Sequence, residues 1–212
     1  MGRTPLWESE LDDIAASGKT PRLLLHSCCA PCACYVLEYL SRFFEITALY
    51  YNPNIFPGEE YDKRALELKR LLTCVKYPNR VDLTIADHDS AVFDAAAVSL
   101  WDEPEGGRRC KLCFELRLEQ TAARAKSGGY DYFSTTLSVS PHKNAELLNE
   151  IGGGLSEKYG VKYLYSDFKK RDGYKRSTEL SKQLGLYRQD YCGCRFTARN
   201  KSAGSMKQAS QI

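Results

Sequence analysis

Three short cysteine motifs, widely separated along this 212-residue chain, place the strongest constraint on how it can fold. They are Cys28-Cys29, Cys110-x-x-Cys113 and Cys192-Gly193-Cys194. No single local motif explains them, but an α/β fold can bring loops from distant segments to one edge of a sheet. Soft thiolates select zinc, copper(I) or iron–sulfur clusters, so six converging thiols predict a metal site.

The spacing within each motif suits ligand binding. The middle pair lies at the expected start of a helix, where residues i and i+3 share a face and local amides favour thiolates. The last pair has the i, i+2 spacing that points side chains the same way in extended backbone. Adjacent cysteines are better suited to bridging two nearby centres, or to binding different irons of one cluster, than to chelating one zinc ion. Six thiols exceed the four ligands of a structural zinc site, which favours a cluster with a second centre beside it.

The remaining cysteines have simpler explanations. Cys34 and Cys74 lie on predicted helices and are most simply explained by core packing. Cys29-Ala-Pro-Cys32 has the spacing of a thioredoxin-like redox pair, but that alternative leaves the other two motifs without a role. Small buried cysteines at a strand end are also common in proteins that bind no metal.

Composition indicates the cellular setting. Nine cysteines are too few for a disulfide scaffold, and their number is odd. The N-terminal residues contain no apolar signal core, and clustered cysteines without an export signal more often bind metal or do redox chemistry. The longest apolar stretch, around Leu23-Leu24-Leu25, is too short to cross a bilayer. We therefore expect a cytoplasmic protein with no membrane partner.

Predicted strands and helices alternate along the chain, which is typical of βαβ units. The pattern predicts an α/β fold with a mostly parallel sheet of about five strands and flanking helices. We expect a single α/β domain over residues 1–196, with an N-terminal helical lead-in, and a basic tail over residues 197–212. The predicted strands cover 22–27, 45–51, 81–85, 130–135 and 161–165. The predicted helices cover 31–43, 59–75, 90–100, 111–126, 144–159 and 174–184.

Positive charge is concentrated in two places. Residues 169–176 carry five positive charges against one negative, and the tail adds Arg195, Arg199, Lys201 and Lys207 without an acid. Such patches suit a phosphate backbone, although a charge run is also commonly a solvated face.

Five motifs together resemble the QueH family of epoxyqueuosine reductases over roughly residues 22–196. They are HSCCAP at 26–31, YNPNI at 51–55, EPEGGRRCxxCF at 103–114, TTLxVSPHKN at 135–144 and YRQDYCGC at 187–194. The resemblance implies reduction of the epoxide of epoxyqueuosine to an alkene at the wobble position of tRNA. It also implies a 4Fe-4S cluster, an additional mononuclear iron, and no cobalamin. The implied fold is a nucleotide-hydrolase-like (HUP-like) three-layer architecture whose phosphate loop has been lost.

The resemblance assigns the metal ligands to the three cysteine motifs, with Asp190 as a candidate oxygen ligand of the additional iron. How these ligands divide between the two centres stays open, as does the role of Cys32. The implied cysteine ligands are Cys28, Cys29, Cys110, Cys113, Cys192 and Cys194.

Removal of an epoxide oxygen takes two electrons and two protons, so we expect a general acid and an external electron donor. The candidate acids are Asp190, Tyr191 and His142. Each also has a purely structural alternative: Asp190 as a turn residue, Tyr191 as a core residue and His142 as a polar residue at a helix start. The partner is tRNA carrying epoxyqueuosine, whose base must be presented out of the anticodon loop. The predicted phosphate contacts are Arg108, Arg109, Lys169, Lys170, Arg171, Lys175 and Arg176.

Two other functions are compatible with parts of the pattern. An ATP-dependent tRNA-modifying enzyme, such as a thiolase, needs a glycine- or serine-rich phosphate loop after the first strand, where this chain has HSCCAP. A zinc-stabilised RNA-binding module needs no redox chemistry. Colour separates these functions, because an iron–sulfur protein absorbs near ~400 nm and a zinc protein does not.

Overall fold

The computed structural model describes residues 6–197, which form an α/β fold around one parallel sheet. The sheet order is β3-β2-β1-β4-β5, and every neighbouring pair is parallel. This confirms the predicted parallel sheet of about five strands. The strands are β1 (Arg22–His26), β2 (Glu45–Tyr50), β3 (Val81–Ile85), β4 (Tyr132–Thr135) and β5 (Lys162–Tyr163).

Helices cover both faces of the sheet, which gives the predicted three layers. Leu23 and Leu25 of β1 belong to one buried cluster with Val36 and Leu68, whereas Leu24 belongs to a second cluster with Leu118. Both faces of a parallel sheet are normally buried in this way. The helices are α1 (Leu6–Ser17), α2 (Ala30–Leu40), α3 (Gly58–Cys74), α4 (Ser90–Ala97), α5 (Arg108–Ser127), α6 (Ala145–Tyr159) and α7 (Gly173–Gln183).

The strand order creates a switch point between β1 and β4. From β1 the chain adds β2 and β3 on one side, and it then returns to add β4 and β5 on the other. Ligands in open α/β sheets bind outside the carboxyl ends of the strands at such a point. Here the segments after β1 and β4 meet, since the backbone N–H of Cys28 donates to Thr136 Oγ1 at 3.3 Å.

Two element boundaries that differ from the sequence-based prediction have identifiable reasons, and one predicted helix is more continuous than expected. Helix α5 begins at Arg108, because the Glu103 carboxylate accepts a hydrogen bond from the Arg108 backbone N–H at 3.0 Å and caps the first turn. Strand β5 has only two residues, which pair with Tyr132 and Phe133 of β4, and just beyond them the Leu164 carbonyl accepts a hydrogen bond from the Ser134 side chain at 2.9 Å. Helix α6 continues through the glycine run at 152–154, which was expected to weaken it.

The described residues include the predicted N-terminal lead-in but almost none of the predicted tail. The lead-in helix corresponds to α1, whereas the predicted tail at 197–212 lies outside the described residues except for Thr197. The division into a domain and a tail therefore stays a prediction. Between residues 6 and 197, no helix combines the length and the apolar character that crossing a membrane requires.

Candidate metal centre

All three cysteine motifs line one cavity of about 640 Å³ at the switch point of the sheet. Cys32 lines it as well, so seven of the nine thiols surround the same space. All nine cysteines are free thiols. The lining cysteines are Cys28, Cys29, Cys32, Cys110, Cys113, Cys192 and Cys194.

The first cysteine motif gains a third member in the structure. The sulfurs of Cys28, Cys29 and Cys32 all lie within 4.8 Å of one another, and the Cys28 and Cys29 sulfurs are 3.7 Å apart. Cys29 is the N-cap of α2 and Pro31 lies in its first turn, so Cys32 follows Cys29 by one helical turn. The C-x-x-C spacing was visible in the sequence, but the predicted ligand set omitted Cys32.

These three thiols stabilise one negative charge among themselves. Hydrogen bonding from Cys29 and Cys32 lowers the pKa of Cys28 well below its usual value. The same interaction raises the pKa of Cys29 to about 12 and also raises that of Cys32. Cys28 is therefore the thiol of the three that loses its proton most readily, and a bound cation would displace the protons of the other two.

A second thiolate forms at the last cysteine motif. Hydrogen bonding to Cys194 and the nearby charge of Lys143 lower the pKa of Cys192 to about 5, although burial opposes the shift. The hydrogen bond to Cys192 is also the largest cause of the raised pKa of Cys194. The Cys194 backbone N–H points to the Cys192 sulfur at 3.4 Å.

A buried arginine and a glycine fix the segment that carries this last motif. Arg64, which is 2% exposed, donates to the Cys192 carbonyl at 3.1 Å and pairs with Glu60 at 2.6 Å. The Gly193 carbonyl accepts a hydrogen bond from the Phe56 backbone N–H at 2.9 Å. Gly193 has a φ of 92°, and a Cβ there would lie 3.0 Å from Arg64 Nη1, so both the backbone and the space require glycine.

The middle motif lies in the first two turns of α5. The Gly106 backbone N–H donates to the Cys110 sulfur at 3.2 Å. Burial raises the pKa of Cys113, and the charge of Arg117 partly offsets that shift. Arg117 also donates to the Cys113 carbonyl at 3.0 Å, so one buried side chain fixes this turn and supplies positive charge to it.

A buried histidine connects the strand ends beneath the cavity. His26 lies 2.9 Å from Thr135 Oγ1 through Nδ1 and 3.1 Å from the Tyr51 carbonyl through Nε2. A carbonyl only accepts, so Nε2 carries the proton and Nδ1 accepts from the threonine. Burial, followed by the charge of Arg117, lowers the pKa of His26 to about 4, and the neutral ring joins the ends of β1, β2 and β4.

The cavity wall carries more buried positive charge than its carboxylates balance. Arg109 is 1% exposed and Arg117 is 4% exposed. Neither pairs with a carboxylate of the described residues. Arg109 Nε and Nη2 also have no acceptor among residues 6–197. Buried charges are costly without a counter-ion, and a metal–thiolate centre is negatively charged, so the donor set and its surroundings fit an iron–sulfur centre.

Comparison with known proteins identifies the family. A family model described as Epoxyqueuosine reductase QueH matches residues 23–200. The chain belongs to the QueH family. A relative from Streptococcus pyogenes serotype M1 is 41% identical over 92% of this chain and 74% of its own length. A relative from Staphylococcus epidermidis is 44% identical, covering 85% of this chain and 78% of the relative. A third, from Thermotoga maritima, is 38% identical, covering 82% and 89%. Each is named Epoxyqueuosine reductase QueH, which confirms the resemblance found from the motifs.

The three candidate acids of this QueH chain all line the thiol cavity. His142 is exposed, and its backbone N–H donates to Ser140 Oγ at 3.3 Å. The Tyr191 ring lies against Arg64, whose Cζ is 5.2 Å from the ring centroid, and burial raises the pKa of Tyr191. Asp190 is exposed and lies two residues before Cys192. Which of them acts as the acid stays a prediction.

The structure contradicts one of the predicted RNA contacts. Arg109 is buried, and its Nη1 donates to the carbonyls of Leu100, Trp101 and Glu103 at 3.0, 3.0 and 2.6 Å. Arg109 therefore holds the loop before α5 and does not present itself to a phosphate. Arg108 is exposed, and its side chain pairs with Glu103 at 2.7 Å.

The predicted basic patch of this QueH protein is partly neutralised by neighbouring carboxylates. Lys169 and Lys170 both pair with Asp167, at 2.8 and 3.6 Å, and Arg171 pairs with Glu8 at 2.5 Å. Lys170 and Arg171 keep 64% and 68% of their side chains exposed. The patch also includes exposed Lys175 and half-buried Arg176, the latter paired with Glu38.

A tyrosine–arginine pair on the cavity wall was absent from the predicted site. Tyr174 is 39% exposed and lines the cavity together with Arg188. Arg188 Nη2 donates to the Tyr174 hydroxyl at 3.0 Å, and its Cζ lies 5.6 Å from the ring centroid. Tyr174 lies within the predicted basic segment, so an aromatic residue among positive charges was the available sequence signal.

Proposed function

We propose that this chain is an iron–sulfur-dependent epoxyqueuosine reductase that acts on tRNA. The observation that carries the proposal is the convergence of seven thiols, with unpaired buried arginines beside them, in one cavity of a QueH family member. The reaction converts the epoxide to an alkene and water, and it consumes two electrons and two protons. The electrons come from an external one-electron donor of low potential.

The cavity thiols are the proposed ligands of a 4Fe-4S cluster and an additional iron, with Asp190 as an oxygen ligand. When bound, these centres supply single electrons and Lewis-acid polarisation of the epoxide oxygen. Arg64 and Arg117 fix the backbone of the last and middle motifs that would hold these centres. Cys32 joins the proposed ligands because its sulfur lies with those of Cys28 and Cys29.

The protein also has to deliver protons at the epoxide oxygen. We propose that one of Asp190, Tyr191 and His142 donates to that oxygen, since all three line the cavity. The other two then orient the substrate or the neighbouring loop. A pH–rate profile for each single variant assigns the donor, because only loss of the acid moves the basic limb of the profile.

The tRNA partner fits the rim of the cavity. The target base has to leave the anticodon loop to reach the thiols, and exposed Tyr174 offers an aromatic face at the cavity wall. Lys170 and Arg171 extend positive charge from the same segment toward the phosphate backbone. A tRNA substrate and free thiols together support a cytoplasmic location.

Metal analysis of anaerobically purified protein tests the proposal. The wild type is expected to be brown, to absorb near ~400 nm and to contain iron and sulfide. Incubation with a low-potential reductant should then remove one oxygen atom from epoxyqueuosine in tRNA, which mass spectrometry of the nucleoside detects. Colourless protein that holds zinc and binds tRNA without converting it would instead identify an RNA-binding module.

Cysteine variants connect the metal to the cavity. Cys28→Ser and Cys32→Ser are expected to lower the iron content and the ~400 nm absorbance, because both remove a thiol from the three-sulfur group. Cys74→Ser is the matched control, since Cys74 is exposed on α3 and does not line the cavity. Equal iron content in all three variants would contradict the proposed ligand set.

A further inference from the structure

Two side-chain carbonyls on the cavity wall have no hydrogen-bond donor. Asn54 Oδ1 and Gln189 Oε1 are both buried, and neither has a partner among the described residues. Both residues line the same cavity as the thiols, and Asn54 is only 5% exposed. A buried acceptor without a donor costs free energy, so native proteins seldom keep one that has no purpose.

The local fold does not need the Asn54 carbonyl. The loop after β2 is held by its backbone, since Ile55 N–H donates to the Asn52 carbonyl at 3.1 Å and Phe56 N–H donates to the Gly193 carbonyl at 2.9 Å. Asn52 provides a comparison within the same loop, because its Nδ2 donates to the Ser27 carbonyl at 3.0 Å. Asn52 therefore has a structural role, whereas the Asn54 carbonyl is directed at no group of the described protein.

The position of the two acceptors relates them to the chemistry. Asn54 precedes Ile55, which pairs with Cys194 as an antiparallel bridge. Gln189 belongs to the segment that leads into Cys192. Both acceptors therefore lie on the two loops that hold the last cysteine motif in place, so a group bound to them is held beside the thiols.

We propose that Asn54 and Gln189 form a subsite that accepts hydrogen bonds from N–H or O–H groups of the modified base. This inference rests on the proposed function and names the residues that position its substrate. Epoxyqueuosine offers both kinds of donor, N–H groups on the base and hydroxyls on the cyclopentane ring. Occupation of the subsite satisfies the two orphaned acceptors and orients the epoxide toward the thiol cavity.

Binding of three tRNAs to Asn54→Leu and Gln189→Met tests the subsite. One tRNA carries epoxyqueuosine, one carries the same base without the cyclopentane ring, and one carries uridine at the wobble position. Each variant should weaken binding of epoxyqueuosine tRNA about tenfold, because a buried donor loses its acceptor, and should leave binding of the uridine tRNA unchanged. A loss repeated on the ring-free tRNA assigns the donor to the base, and a loss confined to the complete substrate assigns it to the ring hydroxyls.

Separate measurements distinguish failure of the subsite from failure of the proposed function. Iron content and thermal midpoint should match the wild type in at least Gln189→Met, which lies on a partly exposed segment. Unchanged affinity for epoxyqueuosine tRNA in folded, iron-loaded variants overturns the subsite and leaves the reductase function standing. An equal loss of affinity for the uridine tRNA overturns it too. If the wild type binds but never converts the substrate, the reductase function fails while the affinity ratios still report on Asn54 and Gln189.

Discussion

The glycine run in α6 gives a sharp test of how this fold packs. A Cβ on Gly152 would lie 2.3 Å from Tyr163 Cζ and 2.4 Å from both Cε atoms of that ring. Tyr163 is 3% exposed, so its ring has little room to move away. A Cβ on Gly154 would meet nothing within 4 Å. Both positions are interior residues of one helix, and they differ in burial and in the space available for a side chain.

The expected free energies follow from these distances. Alanine is favoured over glycine inside a helix by about 0.5–1 kcal/mol, which should appear as a gain in stability for Gly154→Ala. Overpacking costs about 1–3 kcal/mol, and the contact with a buried ring places Gly152→Ala at the upper end, for a net loss of about 2 kcal/mol. The two variants should therefore differ by about 3 kcal/mol.

Urea unfolding of metal-free, reduced protein measures this difference in the free energy of unfolding. Thermal unfolding gives a second readout: at about 2–4 °C per kcal/mol for a domain of this size, the thermal midpoints should differ by roughly 6–12 °C. Gly153→Ala is expected to lie between the other two variants, because its closest contact would be the hydroxyl of Tyr165, a side chain that is 42% exposed and can move. If Gly152→Ala proves as stable as Gly154→Ala, the close approach of α6 to β5 is refuted.

Two further predictions concern pH and salt. The pKa of His26 is lowered to about 4 from 6.5, so its contribution to stability is complete above pH 6.5 and is lost as the pH falls toward 4. The free energy of unfolding should therefore fall by about 2.5 kcal/mol between pH 7.5 and 4.5 because of this group. Urea unfolding of His26→Gln should lack that loss, and the same pH dependence in the variant and the wild type would contradict the prediction. Replacing Lys170 and Arg171 together by alanine should lower the salt slope of tRNA binding by about 1–2, because two phosphate contacts are lost. Lys126→Ala is the control, because Lys126 lies near the end of α5, which contacts the amino end of β1, whereas the cavity lies at the carboxyl ends of the strands. An unchanged salt slope in the double variant would exclude the basic patch from the tRNA interface.

Much of the fold was predictable because burial on both faces of a parallel sheet leaves short apolar runs such as Leu23–Leu25 in the sequence. The start of α5 was not predictable, because its cap comes from the side chain of Glu103, five residues before Arg108. The end of β5 was not predictable either, because its ladder stops after two residue pairs with β4, where the Ser134 side chain and not a backbone N–H donates to the Leu164 carbonyl.

The site was predictable where residue chemistry alone decides the role and unpredictable where burial decides it. Clustered cysteines have few functions, so all three motifs were found from their spacing. Arg109 was assigned to RNA because charge patterns carry no information about burial, yet its side chain is enclosed. Arg64 had a visible signal, since it lies beside Tyr61 and Leu68 on the apolar face of α3, where an arginine is expected only with a buried partner.

The thiol cavity draws its walls from residues 28 to 194, whereas the last strand of the sheet ends at Tyr163. During synthesis every strand leaves the ribosome before Cys192 and Cys194 do. The sheet can thus begin to form while the cavity still lacks one of its walls. A metal held by all three cysteine motifs would then bind after the strands have been synthesised, unlike in small zinc domains, where the ion brings about folding itself.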